Sequence, residues 1–343
     1  MVQALKRASP SQAWAAAVAF SVVFTAVIWL TGPSLQNFLA TLLPDQGASW
    51  YYWKLPVRDS TAMAVVWVLY IGHQTSVWAA IRWAEVNLKD WRKSPDTLNR
   101  YSLAVLAVNA VFMALHLAQT HLWFDGLAQD VPIFTSQGSV IIMLAVTLIL
   151  ENRRRGFIVG RPLGRPFTPR VVAFFRRAHM YVFSWALVYT FWFHPMAYDP
   201  QLVSGFLYMF LLFTQMSLAF TGVHLWRRWI VLLESYVAIH AVIVAVYNTA
   251  FFDSADMWPM FFTGFAFMFV FTYVYAFKLG RKGNLLVTAA YAALLAWIFS
   301  PTPLGLGRSL AYLTRLEFIW IPVILYGLAI AFATPLYLLM RDG

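Results

Sequence analysis

The chain has 343 residues, of which 61% are hydrophobic and 11% charged, with a formal net charge of +11 and no cysteine. A mean hydropathy of +0.65 over this length excludes a water-soluble domain, which would have to expose large apolar patches. The absence of cysteine excludes disulfides, thiolate-bound zinc, iron–sulfur clusters and cysteine nucleophiles, so a metal site would draw on His, Asp or Glu.

A bilayer-spanning helix needs about 20 mostly apolar residues. Ten stretches meet this need, at 12–31, 61–83, 102–124, 132–150, 178–194, 202–225, 229–251, 258–277, 284–300 and 317–339. The expected fold is all-α, a polytopic membrane bundle of about ten transmembrane helices in a single domain over 1–343, with no separate soluble domain. The first span follows Met1 but has no small-residue cleavage site before GPSLQ, so it is read as retained. The fifth is short as written and is expected to begin before Arg176, within VVAFF.

With both termini cytoplasmic, twenty-one basic residues fall inside, eight of them arginines between Arg153 and Arg177. Only Lys54, Arg58, Arg308 and Arg315 fall outside, as the positive-inside rule requires. This asymmetry accounts for the net charge and removes the support for a nucleic-acid partner. It places the chain as a multi-pass protein of a bacterial cytoplasmic (inner) membrane, in contact with membrane lipids. Trp50, Trp53, Trp123, Trp192, Trp226, Trp229 and Trp258 lie near the expected interfaces and are read as anchors.

The seven histidines then sort by depth. His179 and His194 stand fifteen residues apart on one span, roughly 22 Å along a helix, and cannot serve one site. At the inner surface, RRAH carries Arg176, Arg177 and His179, and HLWRR carries His224, Arg227 and Arg228. Arg176 and His179 share a helical face, as do His224 and Arg228, and Thr214, Ser217, Thr221, His224 and Arg228 form one stripe. Beside them ENRRRGFIVGRPLGRPFTPR reads as an irregular loop. Arginine suits phosphate and a histidine of ordinary pKa can pass a proton, so this tier is read as a pocket for an anionic group. Its catalytic candidates are His179 and His224, and its substrate-binding candidates Arg176, Arg177, Arg227 and Arg228. The plainer reading is topological charge snorkelling into anionic headgroups.

His73, His116 and His240 lie near mid-membrane on three different spans. Asn109, Met113, His116 and Thr120 share a face, as do Tyr236, His240 and Tyr247, and His73 lies beside Tyr70 and Gln74. These histidines are candidate ligands of a haem or divalent metal, or members of a buried polar network that joins helices. In the outer tier THLWFD puts His121 and Asp125 four apart on one face, His194 and Asp199 close the fifth span, and DSAD supplies Asp253 and Asp256. His121, Asp125 and His194 form the candidate metal set, opposed by the reading that acidic outer loops are what charge asymmetry leaves behind.

No HExxH, G-x-S-x-G, Walker A or HxxHH cluster is present. The reading that joins most features is a membrane enzyme acting on a lipid-like or isoprenoid small molecule by group transfer or hydrolysis. A haem- or pigment-binding protein and a ten-helix transporter or subunit of a larger complex stand as the alternatives.

Overall fold

A computed structural model of the chain describes residues 8–44, 51–252 and 257–341, without the side chains of 248–252 and 341. Lys6, Arg7, Asp45, Asp253 and Asp256 lie outside the described residues or their side chains. The fold is all-helical, with 77% helix and no strand among the described residues. The long helices are α1 (Pro10–Thr31), α2 (Ser60–Asn87), α3 (Arg100–Trp123), α4 (Phe134–Arg155) and α5 (Pro169–Phe193). They continue with α6 (Pro200–Ser217), α7 (Arg227–Phe252), α8 (Trp258–Phe271), α9 (Gly280–Phe299) and α10 (Trp320–Arg341).

Among the described residues, eight helical segments are long and apolar enough to cross a membrane, those built on α1 to α4 and α7 to α10. The fifth and sixth expected spans are also helices, but they do not combine the same length and apolar content. α5 starts at Pro169, ahead of VVAFF, and carries Arg170, Arg176 and Arg177, whereas α6 carries Gln201 and Gln215.

The chain divides into two compact units, Met1–Val140 with Met180–Trp226 and Ile141–His179 with Arg227–Gly343. In the first unit α1 packs on α6, α2 on α3 and α3 on α6. Side chains start these helices: Ser9 and Gln12 form a capping box on α1, and Asp59 and Asn99 cap α2 and α3. Asp199 caps α6 through the backbone N–H groups of Gln201 and Leu202. In the second unit α8 is central and packs against α7, α9 and α10. Gly264 lets α8 approach α10 closely, since a Cβ there would stand 3.0 Å from Cβ of Ile321.

Val22, Val23 and Leu30 on α1, Leu285 and Leu286 on α9, and Val323 and Leu339 on α10 are exposed. A water-soluble protein could not carry such surfaces, and a hydrocarbon environment accommodates them without cost.

Two local expectations are corrected. The sixth span does not run to 225, because α6 ends at Ser217. Thr214 and Ser217 bond back to the carbonyls of Phe210 and Phe213, a competition with the helix that favours its ending. Thr221 is then extended and Gly222 N–H bonds to Pro95 O at 2.8 Å. The stripe from Thr214 through His224 to Arg228 is therefore broken. His224 sits in a 3₁₀ turn, while Arg227 and Arg228 open α7. Asp125 likewise does not share a helical face with His121, because α3 stops at Trp123 and Phe124 takes a left-handed conformation with φ 47°.

The segment after α4 lacks regular structure but is tightly tied. Asn152 both donates to Leu163 O (2.9 Å) and accepts from Leu163 N–H (3.0 Å), and Val159 N–H bonds to Phe271 O at 2.7 Å. Val159, a β-branched residue, holds φ 54°, where its Cβ is crowded by the backbone. Replacing the exposed Val159 with glycine is expected to stabilise the chain by about 1 kcal/mol, read as a raised thermal midpoint in detergent. A lowered midpoint would count against strain at this turn.

Candidate functional site

Within the first unit, His73 and His116 come to either side of Trp192, with ring centroids 6.5 Å and 4.4 Å from it. Trp192 Nε1–H donates to His73 Nδ1 at 3.2 Å, so the ring proton is on Nε2, which donates to Asn109 Oδ1 at 2.9 Å. Asn109 Nδ2–H passes the chain on to Ser217 Oγ at 3.0 Å, and Ser217 donates to Phe213 O at 2.7 Å. Every step is buried, and the line of donors ties α2, α3, α5 and α6 together.

His116 has a different task. The end of α5 leaves carbonyls without helical partners, and His116 Nε2–H lies 3.0 Å from Phe191 O and 2.9 Å from His194 O. Gln119 Oε1 stands 3.0 Å from its Nδ1, while Gln119 Nε2–H donates to Asp125 O at 3.2 Å. Thr120 Oγ1 accepts from Met196 N–H at 3.0 Å, so α3 caps the α5 terminus with two side chains one turn apart. Both nitrogens of His73 are thus hydrogen-bonded within the protein, and those of His116 face the Phe191 and His194 carbonyls and Gln119. As a haem or metal ligand, either ring would have to give up one of these contacts. His240 belongs to the second unit, on α7.

The outer tier is drawn into separate contacts. His121 faces Leu117 O at 2.9 Å and Thr31 O at 3.4 Å, and His194 Nδ1 meets the Tyr51 hydroxyl at 3.3 Å. Asp125 pairs with Arg58. The structure therefore does not bring His121, Asp125 and His194 together. Among the described residues no three His, Asp or Glu side chains are grouped to hold a metal ion.

Arg58 is the organiser on this side. Its Nε and Nη2 donate to the two oxygens of Asp130 at 2.8 Å and 2.7 Å, while Nη1 serves Asp125. Burial raises the Asp125 pKa despite Arg58, whereas Asp130, opposed by a smaller desolvation, is held below its usual value by hydrogen bonds from Arg58 and Trp67. An open groove of about 560 Å³ runs past Phe38, Leu55, Leu122 and Trp123 to Arg58 and Asp125, where Asp125 and Asp130 already occupy the guanidinium. Gln129 staples the neighbouring segment, accepting from Leu55 N–H at 3.2 Å and donating to Trp53 O at 3.0 Å.

The inner-tier candidates divide between the units. His224 belongs to the first, where its Nδ1–H donates to Gln215 O (3.2 Å) and Gln215 Nε2–H returns to His224 O (3.0 Å). Arg176, Arg177, His179, Arg227 and Arg228 belong to the second. Both arginines of each pair are exposed, and His179 is half-buried with its Nδ1–H on Arg176 O at 2.7 Å.

The second unit also holds a site that the reading of the sequence missed. Arg155, the last residue of α4, is buried and paired through Nη1 with Glu234 of α7, itself buried. The Tyr273 ring lies 4.8 Å from the guanidinium. A lone glutamate within the 229–251 span was the available signal, since an ionisable side chain there is costly and points to a function or a partner. Comparisons with protein-family models, with curated proteins and with solved structures find no match for this chain.

Two outcomes follow for the first unit. His116→Phe leaves the Phe191 and His194 carbonyls without their donor and is expected to cost about 1–3 kcal/mol, seen as a lowered thermal midpoint. An unchanged midpoint would show that the cap is dispensable. Asp199, hydrogen-bonded by Trp53 Nε1–H at 3.0 Å, is pushed by burial up to about 6 from 3.8. Its contribution to stability is therefore fully present below about pH 4 and lost as pH rises through about 6. Asp199→Asn, an equally good N-cap without the charge, is expected to flatten the thermal midpoint between pH 4 and 7. A slope equal to that of the parent chain would contradict this.

Proposed function

We propose that the chain is a membrane enzyme that modifies a lipid-like or isoprenoid molecule carrying an anionic group, by group transfer or hydrolysis. In this reading α5 and α6 join the eight apolar segments to make ten spans, with both ends cytoplasmic, in a bacterial cytoplasmic membrane. The twenty-one to four division of basic residues supports that topology. Arg176, Arg177, Arg227 and Arg228 of the second unit attract the anionic group, and His179 of the same unit handles the proton.

The observation that carries the reading is the state of the basic segment in the second unit. Arg153, Arg154, Arg161, Arg165, Arg170, Arg176 and Arg177 are exposed on a backbone held by the Asn152–Leu163 pair and the Val159–Phe271 bond. Arginines on an ordered frame give a defined surface for phosphate or carboxylate, which a loose basic tail does not. The haem alternative draws less support, because His73 already uses both ring nitrogens on protein partners and His116 Nε2 is held by the Phe191 and His194 carbonyls.

The test is lipid profiling of a deletion strain complemented with His179→Ala or with Arg176→Ala/Arg177→Ala. The parent chain is expected to restore the missing lipid species, and the His179 variant to restore it roughly a hundred-fold more slowly, the scale of lost general acid–base catalysis. A lipid profile unaffected by the deletion, or full rescue by both variants, would contradict the proposal.

A further inference from the structure

We infer that Arg155 and Glu234 form a buried recognition site for a singly charged oxyanion, the phosphate or carboxylate of a lipid-like ligand. Two other arginines show how this chain normally satisfies a guanidinium. Arg58 sets its Nε and Nη2 on the two oxygens of Asp130, and Arg308 sets the same pair on Glu317 at 3.3 Å and 2.7 Å. That side-on fork, two parallel N–H groups in one plane, is the strongest way for arginine to hold a carboxylate or phosphate.

Arg155 does not use it. Only Nη1 reaches Glu234, while Nε and Nη2 have no hydrogen-bond partner among the described residues. Glu234 Oε1 also has none, although both side chains are more than nine-tenths buried, with 3% and 7% of their residue surface exposed. Unmet donors and acceptors on a buried ion pair are costly, and the pair is worth keeping only where something completes it.

The three open atoms specify the ligand. The fork takes two oxygens of one phosphate or carboxylate, and Glu234 Oε1 takes a hydroxyl or other donor on the same molecule. Glu234 neutralises one unit of charge, which favours a singly charged group over a dianion. Tyr273 under the guanidinium face leaves the edge as the direction of approach. The turn from Gly156 to Arg161 follows Arg155 directly in the chain, and in it the strained Val159 bonds through its N–H to Phe271 O.

This inference rests on the reading of an anionic, lipid-like substrate and names the group that would hold its head. The experiment is isothermal titration of the purified full-length chain in a neutral detergent. The probes are dihexanoyl phosphatidic acid, octanoate and inorganic phosphate, with dihexanoylglycerol as the uncharged control. Saturable binding of at least one anion and none of the control is expected. Binding of phosphate as tight as that of the phosphatidic acid identifies a free oxyanion as sufficient, whereas binding of an acyl-bearing probe alone identifies a lipid headgroup.

Arg155→Lys keeps the charge and removes the fork, so it is expected to weaken binding roughly ten- to a hundred-fold. Should that variant not fold, Arg155→Met/Glu234→Leu replaces the pair with apolar side chains that a buried position tolerates, and it should fold without binding. Binding unchanged in a folded variant, or no saturable binding of any anion by the parent, would overturn the site. If Arg155 variants bind as the parent does while Arg176→Ala/Arg177→Ala abolishes lipid modification, the fork assignment fails and the wider enzyme reading stands.

Discussion

Away from water, every polar atom of a helix bundle has to find its partner in the protein or in a ligand, and the arrangement of this chain follows from that constraint. The first unit meets it in full around the end of α5. Carbonyls that the helix cannot satisfy are taken by His116, the adjacent loop N–H of Met196 is taken by Thr120, and the Trp192 indole N–H donates to a line of hydrogen bonds ending at Phe213. Chemistry-bearing side chains are consumed as structural ones. Histidine suits this task because one ring both donates and accepts, at a smaller cost in hydrocarbon than a fixed charge.

The second unit meets the same constraint with charge. Arg308 and Glu317 satisfy each other at two points, and the tie between Asn152 and Leu163 fixes the basic segment. Among the described residues, Arg155 and Glu234 alone are buried, charged and incompletely matched. Capacity to recognise a ligand therefore concentrates where the protein's own partners run out, and in this chain that is an arginine edge beside exposed basic residues.

Much of the architecture was legible in the sequence because apolar length is a strong signal. Among the described residues, each of the ten long helices overlaps one of the ten expected spans, and α5 begins ahead of Arg176 as its flanking VVAFF suggested. Helix ends were harder, since α6 stops at Ser217 through local side-chain competition and α3 stops where Phe124 turns left-handed. Sorting histidines by depth treated rings as the reactive unit, whereas His116 reaches the backbone carbonyl of His194. Arg155 was one of eight arginines between Arg153 and Arg177 and looked like topology. Only its pairing with Glu234 separates it from the others, and nothing in spacing reveals a pair seventy-nine residues apart.

The central claim is that the basic end of the second unit holds an anionic, lipid-like molecule while the histidines of the first unit hold the fold. Mass spectrometry of small molecules that co-purify with the chain in mild detergent tests it most directly. The account expects one anionic lipid-like species enriched well above its share of the membrane, and lost from the Arg155→Lys variant. A bound-lipid composition that mirrors the bulk membrane, unchanged by that substitution, would contradict it.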